Sequence, residues 1–315
     1  MELTPLQKKI TRGFLSRIGF ALCAMLALNI GLTYLIAAIR EALPALPGDP
    51  WLFALLANYT LSPLVCALIL RPVPKAALGK ECVRPGKMFT IFLMCYGIAI
   101  LANLLGNLIA TLLGQETPFS LLGDTAIQTI LETPTTFFSI FTICFFGPVI
   151  EELVFRKLLI DRLARYGEWV AVFMSALLFG LFHGNFLQFF YAFGLGLAFG
   201  HLYYKTGRIW YTILLHCVIN TIPNLLLPIL REGRLMPLMI VGMLVLLVVA
   251  SGVTLTIIWV VRFFRRRRAM GMPALSPRVC ILPQKGWAGL VFLNPGMLTV
   301  LAACVVYFCM ELLVW

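Results

Sequence analysis

The chain has 315 residues, of which 61% are apolar and 12% charged, with a mean hydropathy of +0.96. Soluble domains hold about 45–50% apolar residues, so this composition excludes an ordinary water-soluble globule. The net charge of +12 comes from 25 Lys and Arg against 13 Asp and Glu, and its placement along the chain, rather than its size, carries the information.

Apolar runs of the length a bilayer demands, about 20 residues each, recur along the chain, and the alternation of a membrane β-barrel is absent. The chain reads as an all-α polytopic membrane protein of about eight to nine spans. The expected spans are 14–37, 51–70, 88–113, 134–159, 169–183, 186–204, 209–229, 237–261 and 289–310. The first is longer than the core of a secretion signal, about 7–15 residues, and is read as a retained helix.

Between the spans the basic residues fall on alternate sides. Lys8, Lys9, Arg12 and Arg17 lie in the amino tail and at the start of the first span, and Arg71, Lys75, Lys80, Arg84 and Lys87 follow the second. Arg156, Lys157, Arg162 and Arg165 share that side with Lys205, Arg208, Arg262, Arg265, Arg266, Arg267, Arg268, Arg278 and Lys285. Only Arg40, Arg231 and Arg234 fall opposite, so 22 of the 25 basic residues lie on one side. The positive-inside rule then expects a cytoplasmic amino terminus. Arg265 to Arg268 alone would suit nucleic acid, but a topology anchor touching lipid headgroups explains it more simply, and no nucleic-acid partner is expected. Short loops without an organelle address favour a bacterial plasma membrane.

Three segments are expected: an amino-terminal two-helix part over 1–87, a core over 88–235 and carboxyl-terminal helices over 236–315. The polar breaks at 71–87, 114–133 and 262–288 are too short for a soluble domain. Met272 to Pro283, with Pro273, Pro277 and Pro283, reads as a linker to a last helix that is an appendage. The nine cysteines lack paired spacing and are read as reduced.

A charge inside the hydrocarbon costs about 2.5–3.5 kcal/mol on insertion scales, so polar residues within the spans call for partners or a function. Glu151 and Glu152 follow Gly147-Pro148 in the fourth span. Glu152 lies four residues before Arg156 on one helix face and is expected to pair with it, while Glu151 points about 100° away. Pro148 removes a backbone donor one turn before Glu151 and so frees a carbonyl. Phe179 and His183 are four apart at the end of the fifth span, as are His216 and Asn220 in the seventh. A lone buried histidine is more often an interhelical hydrogen-bonding group than a catalyst. Here, however, two of three histidines share the spans with nearly the only buried acids. A carboxylate, two imidazoles and an amide can activate water and bind an oxyanion. Gly196 and Gly200 in the sixth span would let helices approach closely. His201, near Lys205, is read as interfacial.

These residues resemble the motifs of the CAAX-protease and bacteriocin-processing (CPBP, or Abi) membrane proteins, which include the type II CAAX prenyl proteases. The EExxxR motif is Glu151, Glu152 and Arg156, FxxxH is Phe179 and His183, and HxxxN is His216 and Asn220. The resemblance covers about 88–235. It implies a helical bundle with an intramembrane catalytic cavity opening toward the cytoplasm and glutamate-dependent cleavage of a peptide or membrane-protein substrate. Glu151 and His183 would activate water, and His216 and Asn220 would stabilise the oxyanion, supported by Glu152, Arg156 and Phe179. It implies no metal cofactor, although two histidines and a glutamate would also suit zinc. The alternatives are a proton-coupled transporter using Glu151, His183 and His216 as a relay, and a noncatalytic scaffold or immunity protein. By helix rise His183 would lie deeper than Glu151 or His216, so either the fifth helix begins later than residue 169 or it tilts and turns at Gly184-Asn185 within the membrane.

Overall fold

The structure, a computed structural model, describes residues 3–43, 50–113, 136–231, 234–269, 282 and 286–314. The 114–133 break lies outside the described residues, as does the 272–283 linker apart from Leu282. Ten helical elements follow in order: α1 (Pro5–Ala42), α2 (Pro50–Leu70), α3 (Pro85–Leu112), α4 (136–166), α5 (Glu168–Leu181), α6 (Phe186–Thr206), α7 (Ile209–Arg231), α8 (Leu235–Ala269), α9 (Trp287–Phe292) and α10 (Pro295–Val314). No strand occurs among the described residues. Among the described residues six helices, α1, α2, α3, α6, α7 and α8, are long and apolar enough to cross a membrane, and α5 and α10 are shorter apolar helices. The protein is an all-α polytopic membrane protein.

Sequence signals set the helix ends. Thr4 and Gln7 form a reciprocal capping box at the start of α1, with Pro5 at its first position. Asn185 caps α6 by accepting from Gln188 N at 2.9 Å.

The fourth helix departs from regular geometry. It is α-helical over Thr136–Phe141, π-helical over Thr142–Phe146, α-helical over Gly147–Glu152, and π-helical again over Leu153–Ile160. Pro148 has no N–H to give the carbonyl four residues earlier and its ring crowds that position, so the wider turn before it relieves the clash. The second π stretch is tied to α5 by Ser175 Oγ, which donates to Phe155 O at 2.7 Å.

Helices meet where glycine removes the side chain. A Cβ on Gly196 would sit 2.8 Å from Ala176 Cα, so α5 and α6 pack almost backbone to backbone. The last helix is not an appendage. A Cβ on Gly296 would stand 1.7 Å from Ser16 O, Gly296 N donates to Ser16 Oγ at 2.8 Å, and Met297, Val300 and Cys304 are buried in the main core. That core is continuous, with Leu15, Ile18 and Leu22 of α1, Leu70 of α2, Leu159, Ile160 and Leu163 of α4 and Ala171 of α5.

Beside the basic loops the chain is closed by short polar bonds. Arg162 Nε donates to Leu70 O at 3.0 Å, Ala76 N to Asp161 O at 2.6 Å and Gly79 N to Tyr204 O at 3.1 Å. His201, expected to be interfacial, pairs with Glu168 at 2.9 Å, which Lys205 also reaches at 2.8 Å.

Candidate active site

The adjacent glutamates of α4 diverge into different environments. Glu152 is fully buried, with Oε2 3.0 Å from Arg156 Nε, the pairing that the four-residue spacing predicts. The contact is an ion pair rather than an aligned hydrogen bond, and Arg156 Nη1 and Nη2 have no hydrogen-bond partner. The guanidinium instead faces aromatic rings, 4.6 Å from the Phe179 centroid and 5.7 Å from that of Phe199. In a desolvated interior such a cation–π contact contributes about 2 kcal/mol. Phe179 therefore covers the cation that neutralises Glu152.

Glu151 turns the other way. Its Oε1 accepts a hydrogen bond from the Tyr59 hydroxyl at 2.8 Å, and its carboxylate keeps 19% exposure. Glu151 and Tyr59 line a cavity of about 420 Å³ together with His183. Tyr59 belongs to α2, outside the stretch that carries the family motifs. The one sequence cue for it was a phenol within an apolar span, a group that needs a partner.

His216 sits between the two acids. Its Nδ1 is 3.1 Å from Glu152 Oε1, and its Nε2 is 3.6 Å from Glu151 Oε2, too far for a hydrogen bond. Its ring is held by Phe199 at 5.6 Å and by the edge of Phe179 at 5.9 Å. One turn on, Asn220 Nδ2 donates to Ile143 O at 3.3 Å, inside the first π stretch, and Asn220 O accepts from Cys144 Sγ at 3.6 Å. His216 and Asn220 thus lie on the α4 side of α7 and are absent from the cavity wall.

His183 is not on a helix. The fifth helix ends at Leu181, and His183 occupies the turn to α6, where Gly184 has φ 76°. Of the two alternatives that the depth argument left, the chain takes the turn at Gly184-Asn185, since the helix starts at Glu168 and not later than expected. His183 Nδ1 lies 2.9 Å from Phe179 O, and its backbone carbonyl accepts from Asn185 Nδ2 at 3.0 Å. A Cβ on Gly184 would stand 2.3 Å from the Tyr307 ring, so α10 closes over this turn.

The structure thus brings Glu151 and His183 to one cavity and sets Glu152, Arg156 and His216 in a buried cluster behind them. Among the described residues no group of three His, Cys, Asp or Glu side chains converges to hold a metal ion.

Comparison with known proteins follows the same residues. A family model described as type II CAAX prenyl endopeptidase Rce1-like matches residues 133–222, a stretch containing all seven motif residues. A curated relative, "Putative membrane peptidase YdiL" of Bacillus subtilis (strain 168), is 28% identical over 173 residues, which is 50% of this chain. The chain spans 64% of that relative's length. No solved structure matches. Its motif residues, its apolar helices and these matches agree on a likeness to CAAX-protease-like membrane proteins, carried by residues 133–222.

Proposed function

We propose that the protein is a glutamate-dependent intramembrane endopeptidase that hydrolyses a peptide bond in a membrane-presented peptide or protein. The observation that carries this reading is the division of labour between neighbouring acids. Arg156 neutralises Glu152 in the core, while Glu151 faces a cavity beside an imidazole. A carboxylate in a desolvated site beside a second proton-handling group is suited to general base work on water.

In the proposed reaction, water bound between Glu151 and His183 attacks the carbonyl carbon and its proton passes to Glu151. The carbonyl oxygen becomes an oxyanion, whose stabilisation the family resemblance gives to His216 and Asn220, although both lie behind the cavity wall in this structure. The C–N bond then breaks, the amine leaves with the proton held by Glu151, and the new carboxyl end departs. The proposed reaction is metal-free, as the family resemblance implies. The proposed setting is a bacterial plasma membrane with the amino terminus cytoplasmic.

The test is cleavage of a peptide library by detergent-purified protein. Glu151→Gln and His183→Ala should each lose about 10²–10⁴-fold in rate, the range for general acid–base groups. A zinc chelator should leave the rate unchanged. Cleavage that survives Glu151→Gln would remove Glu151 from the role of base, and loss on chelation would make the histidines and glutamate metal ligands.

A further inference from the structure

The chain carries one helix-capping arrangement twice and uses it differently. At the start of α1, Thr4 and Gln7 hold the N-cap and the third helical position, and each side chain bonds to the other's backbone N–H. At the start of α6, Asn185 and Gln188 hold the same two positions. Here only half of the arrangement forms. Asn185 Oδ1 accepts from Gln188 N at 2.9 Å, but the Gln188 side chain does not return to the Asn185 N–H. Among the described residues no group hydrogen-bonds the Gln188 amide.

That amide stands in apolar surroundings. The first turns of α6 read Phe186-Leu187-Gln188-Phe189-Phe190-Tyr191, and Phe186 and Phe189 pack on Phe308 of α10 at 5.2 and 6.0 Å. Gln188 precedes buried Ala192 by four residues, Leu195 by seven and Phe199 by eleven, which puts it on the inward stripe of the helix. There it lines the cavity of Glu151, Tyr59 and His183. Gln188 is half-buried, and neither of its amide atoms is sealed from solvent, so a ligand in the cavity can reach them. An amide left unmatched in an apolar setting costs about 1–3 kcal/mol, which a partner in the cavity would recover.

Asn185 keeps this amide in register with His183. Its Oδ1 caps Gln188 N and its Nδ2 donates to His183 O at 3.0 Å, so one side chain ties the turn of the histidine to the helical turn of Gln188. Tyr59 is committed to Glu151, and His183 Nδ1 lies against Phe179 O. To this base and imidazole Gln188 adds a group that offers an N–H and a carbonyl side by side. Those match the C=O and N–H of an extended peptide, groups that a helical segment satisfies within itself and that an unwound one must satisfy elsewhere inside a membrane.

Resting on the peptidase reading, we infer that the Gln188 side chain binds the backbone of an extended substrate segment beside the scissile bond, Nε2 donating to a substrate carbonyl and Oε1 accepting a substrate N–H. Gln188 is then a binding residue that selects unwound backbone rather than a particular side chain. Asn185 is a positioning residue for it and for His183.

A cycle between protein and substrate tests this, using the full chain in detergent and a peptide identified by the library cleavage. Gln188→Met keeps the length of the side chain and removes both polar atoms. KM should rise about fivefold or more, the loss of one or two hydrogen bonds, with kcat within about twofold of the parent. The melting temperature should hold or rise, because an unmatched amide leaves an apolar setting. On the substrate side, esters replace the non-scissile amides flanking the cleaved bond one at a time, each removing an N–H. At one position the ester should raise the parent's KM about fivefold and leave that of Gln188→Met unchanged. An unchanged KM in Gln188→Met, or ester effects equal in the two proteins, overturns the binding role. A fall in melting temperature or a failure to fold overturns it too, making Gln188 a packing residue. Each of these outcomes leaves the peptidase reading, which stands on Glu151→Gln, intact.

Discussion

The hydroxyl of Tyr59 donates to Glu151 Oε1 across a 2.8 Å gap between α2 and α4, joining residues 92 positions apart in the chain. A hydrogen bond to an ionised carboxylate contributes about 1.5–3 kcal/mol, and this one also fixes which way the carboxylate points. Tyr59→Phe keeps the ring, which meets Phe146 edge-on at 6.1 Å, and removes only the donor. We expect peptide cleavage to fall about 10-fold or more with the melting temperature little changed. A melting temperature that falls in step with activity would instead make the tyrosine a packing residue.

The cluster of Glu152, Arg156 and Phe179 should behave as a unit. Removing one partner of a buried ion pair costs about 3–5 kcal/mol because the other charge is stranded, so Glu152→Gln and Arg156→Met should each destabilise strongly. The double variant should recover much of that loss. Arg156→Lys should not rescue, since a lysine lacks the flat guanidinium that covers Phe179 at 4.6 Å. Thermal unfolding in detergent across this double-mutant cycle checks the coupling, and additive losses would count against it.

Two glycines with nearly equal φ separate backbone strain from steric conflict. Gly184 (φ 76°) would bring a Cβ 2.3 Å from Tyr307, whereas Gly286 (φ 77°) has open space around it. Gly286→Ala should cost about 1–2 kcal/mol from the left-handed backbone alone. Gly184→Ala should cost clearly more and should also reduce cleavage, because the clash displaces the turn that carries His183. Equal melting temperatures for the two variants would show that Tyr307 moves aside freely.

Much of this protein was determined locally. Membrane residence follows from apolar length, and the Glu152–Arg156 pair follows from the four-residue helical period, so both are legible in the sequence. The same is true of the motif residues, because EExxxR, FxxxH and HxxxN each sit within one element or at its end. The tertiary structure decided what no single helix contains. It gave α4 two π stretches on either side of the segment with Pro148, ended α5 before His183, and carried Tyr59 from α2 to Glu151. It also brought α10 onto α1 through Gly296, which supplies Tyr307 and Met310 to the cavity wall. The reason is physical: helical period specifies which residues of one helix share a face, but the neighbour on that face is chosen by close packing between helices far apart in the chain.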